Sequence, residues 1–262
     1  MTGLEAKNLF FSYRNKNIVE DITFTVSTGG AWALIGRNGA GKSTLLKCFC
    51  GLLRPSRPES VLINGVPISK LSPREIALRV AYVPQGGNRP VPPFTVREYV
   101  VMARFPYRNF GTLPCQKDKN RVGDALDIAG ISHLAGRMMS TLSGGEFQAA
   151  LIAGAVCQET PFLLLDEPTT YLDPFHQENV RQIIERVHTE RGTAVITVTH
   201  DVNFALSTHD NILALVDGKI FFCGTKEEFC IDAAGRLSKI FSVNFRAAEC
   251  PNQKTVYYTE AD

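Results

Sequence analysis

Residues Gly36-Arg-Asn-Gly-Ala-Gly41-Lys42-Ser43-Thr44 match G-x-x-x-x-G-K-[ST] in full, between an apolar strand-like run, AWALI, and a helix-patterned stretch, TLLKCFCGLL. A glycine loop that joins a buried strand to a helix is a phosphate cradle, and it constrains the chain to an α/β fold with a parallel sheet. Gly36, Arg37, Asn38, Gly39, Ala40 and Gly41 can turn backbone N–H groups inward around a β-phosphate, and the helix start that follows adds its positive dipole end. Lys42 is expected to bridge β and γ oxygens. Ser43, followed by Thr44, is expected to offer a hydroxyl to Mg²⁺.

Two further apolar, β-rich runs, FLLLDE and AVITVTH, alternate with helix-patterned sequence, as buried parallel strands do. The first ends in Asp166-Glu167, and the carboxyl end of such a strand is where an open α/β sheet binds ligands. The two acids should divide the work. Asp166 would hold Mg²⁺ through water, and Glu167 would orient or deprotonate the water that attacks the γ-phosphate. Near the C-terminal side, ILALV and KIFFC flank Asp217-Gly218, a dipeptide that supplies two positive φ angles and predicts an antiparallel hairpin.

Leu142-Ser-Gly-Gly-Glu146 opens another helix pattern, and Ser143 with Glu146 has the spacing of a capping box. Exposed glycine backbone at Gly144 and Gly145 makes this helix start a second anion site, although the loop at Gly36 to Ser43 already cradles the phosphates. Two copies facing each other resolve the redundancy, each lending Ser143 and Gly145 to the γ-phosphate held by the other. An ordinary capped surface helix is the competing account of this segment.

Composition removes other classes. The 262 residues are 44% apolar, enough for a core, and 28 Lys plus Arg against 26 Asp plus Glu give a formal charge of +2, so no nucleic-acid partner is expected. No apolar run approaches the ~18 to 20 residues of a membrane span. The first residues lack the apolar stretch of a secretory signal, and the expectation is a cytoplasmic chain. The seven cysteines lie mostly in apolar segments, Cys48, Cys50, Cys157 and Cys223 among them, and read as reduced, buried thiols. From Gly86 to Pro114 the composition turns to Pro, Gly and aromatics before helix-patterned sequence resumes. That shift predicts an inserted helical subdomain over about 86–158 within a catalytic core of about 1–85 and 159–262, all one domain.

The order GRNGAGKST, Gln85 after AYVP, LSGGE, LLLDEP, Leu172-Asp173 and His200 in VTHD resembles the ATP-binding cassette (ABC) proteins over nearly the whole chain. The resemblance implies a P-loop ATPase core with a mainly parallel sheet, an antiparallel N-terminal β part and a helical insertion. It implies ATP and Mg²⁺ as ligands, Tyr13 as the aromatic stacked on adenine, and Gln85 as a Mg²⁺ and water ligand that senses a membrane partner. It also implies that Asp173 acts across the dimer interface and that His200 is a switch at the γ-phosphate. His176 and His209 lie off the pattern and receive no role. Phe147 and Ala149 depart from the basic residues many members carry in the LSGGE helix.

A single phosphate loop and a single LSGGE set aside twin-cassette proteins. Their closeness in sequence leaves no room for a long coiled coil. FTVREYVVMARFP and DEPTTYLD are similar to the importers of iron chelates, haem and cobalamin. The implied protein is therefore a homodimeric subunit on the cytoplasmic face of a prokaryotic membrane, powering integral permease subunits and served indirectly by an extracytoplasmic substrate-binding protein. An iron–siderophore complex is the expected cargo, with haem or cobalamin as alternatives. The aromatic segment Gly86 to Phe110, Phe94 and Tyr99 in particular, is the expected permease contact. A soluble mechanical ATPase is a different class of reading. A kinase is a third, which LSGGE disfavours because a kinase needs an acceptor pocket rather than a second phosphate-binding helix.

Overall fold

The computed structural model describes residues 3–14, 16–86, 91, 93–109, 111–249 and 255–259; part of the Gly86–Phe110 segment lies outside them. Two long strands, β1 (Gly3–Tyr13) and β2 (Lys16–Ser27), form an antiparallel pair, and β3 (Ala31–Ile35) then runs into the glycine loop and α1 (Lys42–Phe49). The short β4 (Val61–Ile63) and β5 (Val66–Pro67) return to β1, completing an antiparallel sheet of order β2-β1-β4-β5. Next come α2 (Pro73–Ala77), β6 (Val80–Val83), α3 (Val96–Met102), α4 (Gln116–Ile128) and α5 (Gly144–Cys157). After them β7 (Phe162–Asp166), α6 (Pro174–Arg191), β8 (Ala194–Val198), α7 (Val202–Thr208), β9 (Asn211–Val216) and β10 (Lys219–Thr225) follow in turn. The chain ends in α8 (Lys226–Cys230), α9 (Ala233–Phe241) and a hairpin of β11 (Phe245–Glu249) with β12 (Thr255–Thr259).

The central sheet has the order β10-β9-β3-β8-β7-β6, parallel except for β10. β7 and β8 are buried along their whole length, as strands covered on both faces must be. Their alternation assigns the two faces. Leu163 and Leu165 join a core with Val96 and Val100 of α3, Ala125 of α4 and Ile152 of α5. Phe162 and Leu164 join another with Leu45 and Phe49 of α1 and the inner face of the antiparallel sheet. A third cluster packs α7, α8 and α9 on Ala33, Ile35, Ile212 and Ala214. The hairpin at Asp217-Gly218 forms as expected, with φ of 47° and 78°. No helix among the described residues is long and apolar enough to cross a membrane.

The helical layer is clamped by a group the sequence did not single out. Arg104, 2% exposed, donates to Asp118 (3.2 Å), Glu159 (2.8 Å) and the Cys157 carbonyl (2.8 Å), and its guanidinium lies 3.9 Å from the Tyr107 ring centroid. A planar five-donor head can join the start of α4 to the end of α5 in this way without leaving a buried charge alone.

The thiol expectation holds only in part. Cys48 and Cys157 are buried, and burial pushes both thiols up to about 12. Cys115, Cys223 and Cys230 are exposed; Cys223 sits on β10, an edge strand with a solvent face, so its apolar neighbours did not imply burial.

His209 is buried with its Nε2 2.8 Å from Thr197 Oγ1 and its Nδ1 3.3 Å from the Ala205 carbonyl. The carbonyl can only accept, so Nδ1 carries the proton and Nε2 accepts from Thr197, which is the neutral imidazole. Burial lowers its pKa from 6.5 to about 4, with His188 and Lys226 also disfavouring the cation. A depressed histidine pKa stabilises the fold fully above the unfolded value, and that contribution is lost as pH falls from about 6.5 towards 4. Thermal melts should therefore show His209→Gln losing less stability than the parent across that window, by a difference of roughly 3 kcal/mol. Parallel pH profiles would exclude His209 as the cause.

Candidate functional site

The carboxyl ends of β3, β6, β7 and β8 deliver, in turn, the glycine loop, Gln85, Asp166-Glu167 and His200 to one edge of the sheet, the edge where ligands bind in such folds. Gly36 needs its missing side chain, since a Cβ there would lie 2.4 Å from the Leu215 carbonyl oxygen. Gly41, at φ 94°, is the N-cap of α1, with no side-chain hydrogen bond to the helix. Unlike the other principal helices of this edge, α1 thus begins with first-turn amides that no cap satisfies, and such a terminus favours an anion.

Lys42 is almost wholly buried, and its Nζ donates to the carbonyls of Gly36 (2.7 Å) and Arg37 (2.9 Å). Burial lowers its pKa, and the nearby carboxylates of Glu167 and Asp166 act in the opposite direction. Asp166, 2% exposed, accepts from Ser43 Oγ at 2.8 Å through one oxygen and from Tyr82 Oη at 3.0 Å through the other. Glu167 adopts φ 50°, a left-handed conformation costing a non-glycine residue of order 1 kcal/mol. That turn brings its Oε2 to Gln85 Nε2 (2.8 Å), Thr170 Oγ1 (3.0 Å) and His200 Nδ1 (3.6 Å).

These groups line a cleft of about 1090 Å³ that Tyr13, Tyr171 and Phe241 also border. Tyr13 is half exposed and held edge-on by Phe11, 4.8 Å between centroids. Gly36, Arg37, Asn38, Gly39, Gly41, Lys42, Ser43, Thr44, Gln85, Glu167 and His200 are thus brought together as expected, with Ala40 buried under the loop and Asp166 behind it. Ser143, Gly144, Gly145 and Asp173 do not line this cleft.

Ser143 caps α5 by the anticipated box: its Oγ accepts from Glu146 N (3.3 Å) and its N–H donates to Glu146 Oε2 (2.8 Å). Asp173 caps α6 by accepting from His176 N at 2.9 Å, and the amide and imidazole of His176 hold that carboxyl below its usual range. Phe147 and Ala149 turn out to face their own chain: Ala149 is buried in the helical core, and Phe147 packs on it half-buried. Tyr99 is half-buried, packing towards Gly154 against that core, and Phe94 is half-buried too.

Tyr82, Thr170 and Phe241 were not legible as site residues. Tyr82 had a weak signal, as an aromatic three positions before Gln85 on a strand whose alternate residues enter the core.

A strand-end carboxylate pair, an uncapped glycine turn and a buried lysine define a phosphate-loop nucleotide-binding protein. The chain belongs to the ABC transporter family, whose family model matches residues 19–170, and it is an ATP-binding, ATP-hydrolysing cassette. It is 38% identical to the iron(3+)-hydroxamate import ATP-binding protein FhuC of Bacillus subtilis, over 87% of this chain and 84% of that one. It is 34% identical to the ferric enterobactin transport ATP-binding protein FepC of Escherichia coli, over 95% and 90%. An inward-facing structure assigned to the metal-chelate type of ABC transporter superposes with a TM-score of 0.84 at 27% identity, covering 100% of this chain and 98% of that one.

The Tyr82 hydroxyl is one of two donors fixing Asp166. Tyr82→Phe keeps the ring but leaves one oxygen of a buried carboxylate without its donor, so ATP turnover should fall by about tenfold and stability by about 1–3 kcal/mol. Steady-state ATPase rates at parental values would show that Ser43 alone suffices.

Proposed function

We propose that this chain is the ATPase subunit of an iron-chelate importer with an iron–siderophore complex as cargo. Two copies would work at the cytoplasmic face of a prokaryotic membrane on integral permease subunits, supplied from outside by a substrate-binding protein. The hydrolytic half of this reading is carried by the meeting of Gln85, Glu167 and His200 beside the uncapped start of α1. The cargo half is supported by the printed functions of the relatives. These span a hydroxamate and enterobactin at comparable identity, which supports iron chelates as a class and singles out no chelate.

In this reading the amides of residues 36–44 cradle the phosphates, Lys42 exchanges its two loop carbonyls for β and γ oxygens, and Tyr13 stacks on adenine. Glu167 takes a proton from the attacking water, and His200 and Gln85 hold that water and the carboxylate in line. Among the described residues no three or more His, Cys, Asp and Glu side chains gather to hold a metal unaided. Ser43 Oγ and the Asp166 carboxylate, with Gln85 nearby, fit Mg²⁺, which is commonly held by one or two protein groups with phosphate and water completing the shell. Bound there, Mg²⁺ would neutralise charge on the phosphates. We assign residues 1–85 and 159–262 to the catalytic core and 86–158 to the helical subdomain.

Ser143, Gly144, Gly145 and Asp173 stand away from the cleft of their own chain, which supports their acting on a partner's nucleotide. Association is then linked to the γ-phosphate. The Glu167→Gln protein should be monomeric alone and with ADP and should dimerise with ATP; adding Ser143→Arg should abolish the dimer while ATP binding persists. Equilibrium sedimentation decides, and a doubly substituted protein that still dimerises would end the in-trans assignment.

For the permease contact the better probe is Phe105, 61% exposed on a turn whose Pro106 carbonyl accepts from Arg74 and whose Tyr107 lies under Arg104. A charge placed there meets water in the free subunit and must be desolvated against an apolar partner. Phe105→Asp should leave the isolated ATPase near the parental rate and reduce cellular uptake of radiolabelled ferric siderophore by about tenfold or more. Normal uptake would remove Phe105 from the contact, and normal uptake after deletion of the whole gene would remove this cargo.

A further inference from the structure

Between the two segments that stand apart from the cleft lies a side chain to which sequence reasoning gave no role. His176 is in the first turn of α6, and its Nδ1 is 2.9 Å from both carboxylate oxygens of Asp173, the residue that caps that helix. A carboxylate can only accept, so Nδ1 carries the proton and the ring orientation is fixed. The opposite edge of the ring faces α5. A Cβ built on Gly145 would lie 1.8 Å from Cδ2 and 2.5 Å from Nε2 of His176, distances at which no methyl group fits. The neighbouring Gly144 is exposed, and a Cβ on it would meet nothing within 4 Å. The two glycines therefore differ: Gly144 is open to whatever approaches, whereas Gly145 is buried because the imidazole occupies the space its side chain would need.

We infer that His176 is a positioning residue that locks the start of α5, at Ser143 to Gly145, to Asp173 at the start of α6, so that the two segments offered to a partner's nucleotide move as one unit. The inference rests on the in-trans reading of Ser143, Gly145 and Asp173. One imidazole spans both: it donates to the cap of one helix and fills the glycine notch of the other. Without it, Asp173 keeps only backbone donors, and the start of α5 loses its contact with the first turn of α6. Because neither segment lines the cleft of its own chain, the monomer's grip on ATP does not depend on the contact. Closure of two copies around the nucleotide does.

The contact predicts mutual suppression. Gly145→Ala drives a methyl into the ring, and His176→Ala removes the ring, so the second change should relieve the first. In the Glu167→Gln protein, Gly145→Ala should weaken ATP-driven dimerisation by about tenfold or more, and His176→Ala by about threefold or more. The double variant should dimerise at least about threefold better than the product of the two effects, while monomer affinity for ATP stays within about twofold throughout. With Glu167 intact, His176→Ala should lower kcat and leave KM for ATP unchanged, a split that general destabilisation would not produce. Dimer constants that combine as a simple product, or an unchanged kcat in His176→Ala, would overturn the inference. If Glu167→Gln itself fails to dimerise with ATP, the in-trans reading is lost, and the melting temperatures of the same four proteins still test the contact: additive shifts refute it. If Gly145→Ala does not fold, recovery of a folded double variant supports the contact and its failure to fold refutes it.

Discussion

A carboxylate as buried as Asp166 costs the fold free energy at any oxygen left without a donor, and the way this one is satisfied organises the rest of the site. One oxygen accepts from Ser43 on α1, the other from Tyr82 on β6. The acid at the end of β7 thereby joins the phosphate loop to the strand that leads into Gln85. Tyr82 also borders a groove lined by Pro84, Tyr99, Met102 and Gly154, between the sheet and the helical layer.

The charges around this point set a second constraint. Burial disfavours the ammonium of Lys42, and the carboxylates of Asp166 and Glu167 oppose that effect. The two carboxylates thus offset part of what burial costs the ammonium. Glu167 contributes from a left-handed backbone conformation, which strands do not adopt, so β7 stops there and the side chain turns across to Gln85, Thr170 and His200. The strain is maintained by a fully buried strand on one side and the Glu167 N–H to Val198 carbonyl bond of 3.0 Å on the other.

Much of this was legible in the chain because it is local. AWALI, FLLLD and AVITV are continuous apolar runs, and they form three adjacent strands; the residue types that follow them carry the chemistry. Asp217-Gly218 dictated its own turn. Contacts that depend on distant segments meeting were not legible: Tyr82 with Asp166, Arg104 with Asp118 and Glu159, and His176 with Gly145. Each is an unremarkable residue in its own window and acquires meaning only from packing. Cys223 shows the converse error: an apolar window suggested burial for a thiol that sits exposed on an edge strand.

The two glycine-flanked helix starts also differ in a way that orders events. At α1 the cap is Gly41, which has no side chain to satisfy the first-turn amides, and Lys42 stands beside them. At α5 the box formed by Ser143 and Glu146 already uses the amides of both residues, and of the two glycines between them only Gly144 is exposed to whatever faces it. Glu146 in turn lies 3.2 Å from Arg137, so its charge is partly answered within its own chain. An anion therefore meets a cation and a full set of unsatisfied donors at the first terminus and a half-satisfied one at the second. In the proposed arrangement a nucleotide triphosphate would therefore fill the loop at Gly36 to Thr44 first. In the proposed in-trans arrangement the weaker terminus would add to binding only when a second copy brings it to phosphates already held, so that closure of the pair would depend on occupancy of the loop rather than compete with it.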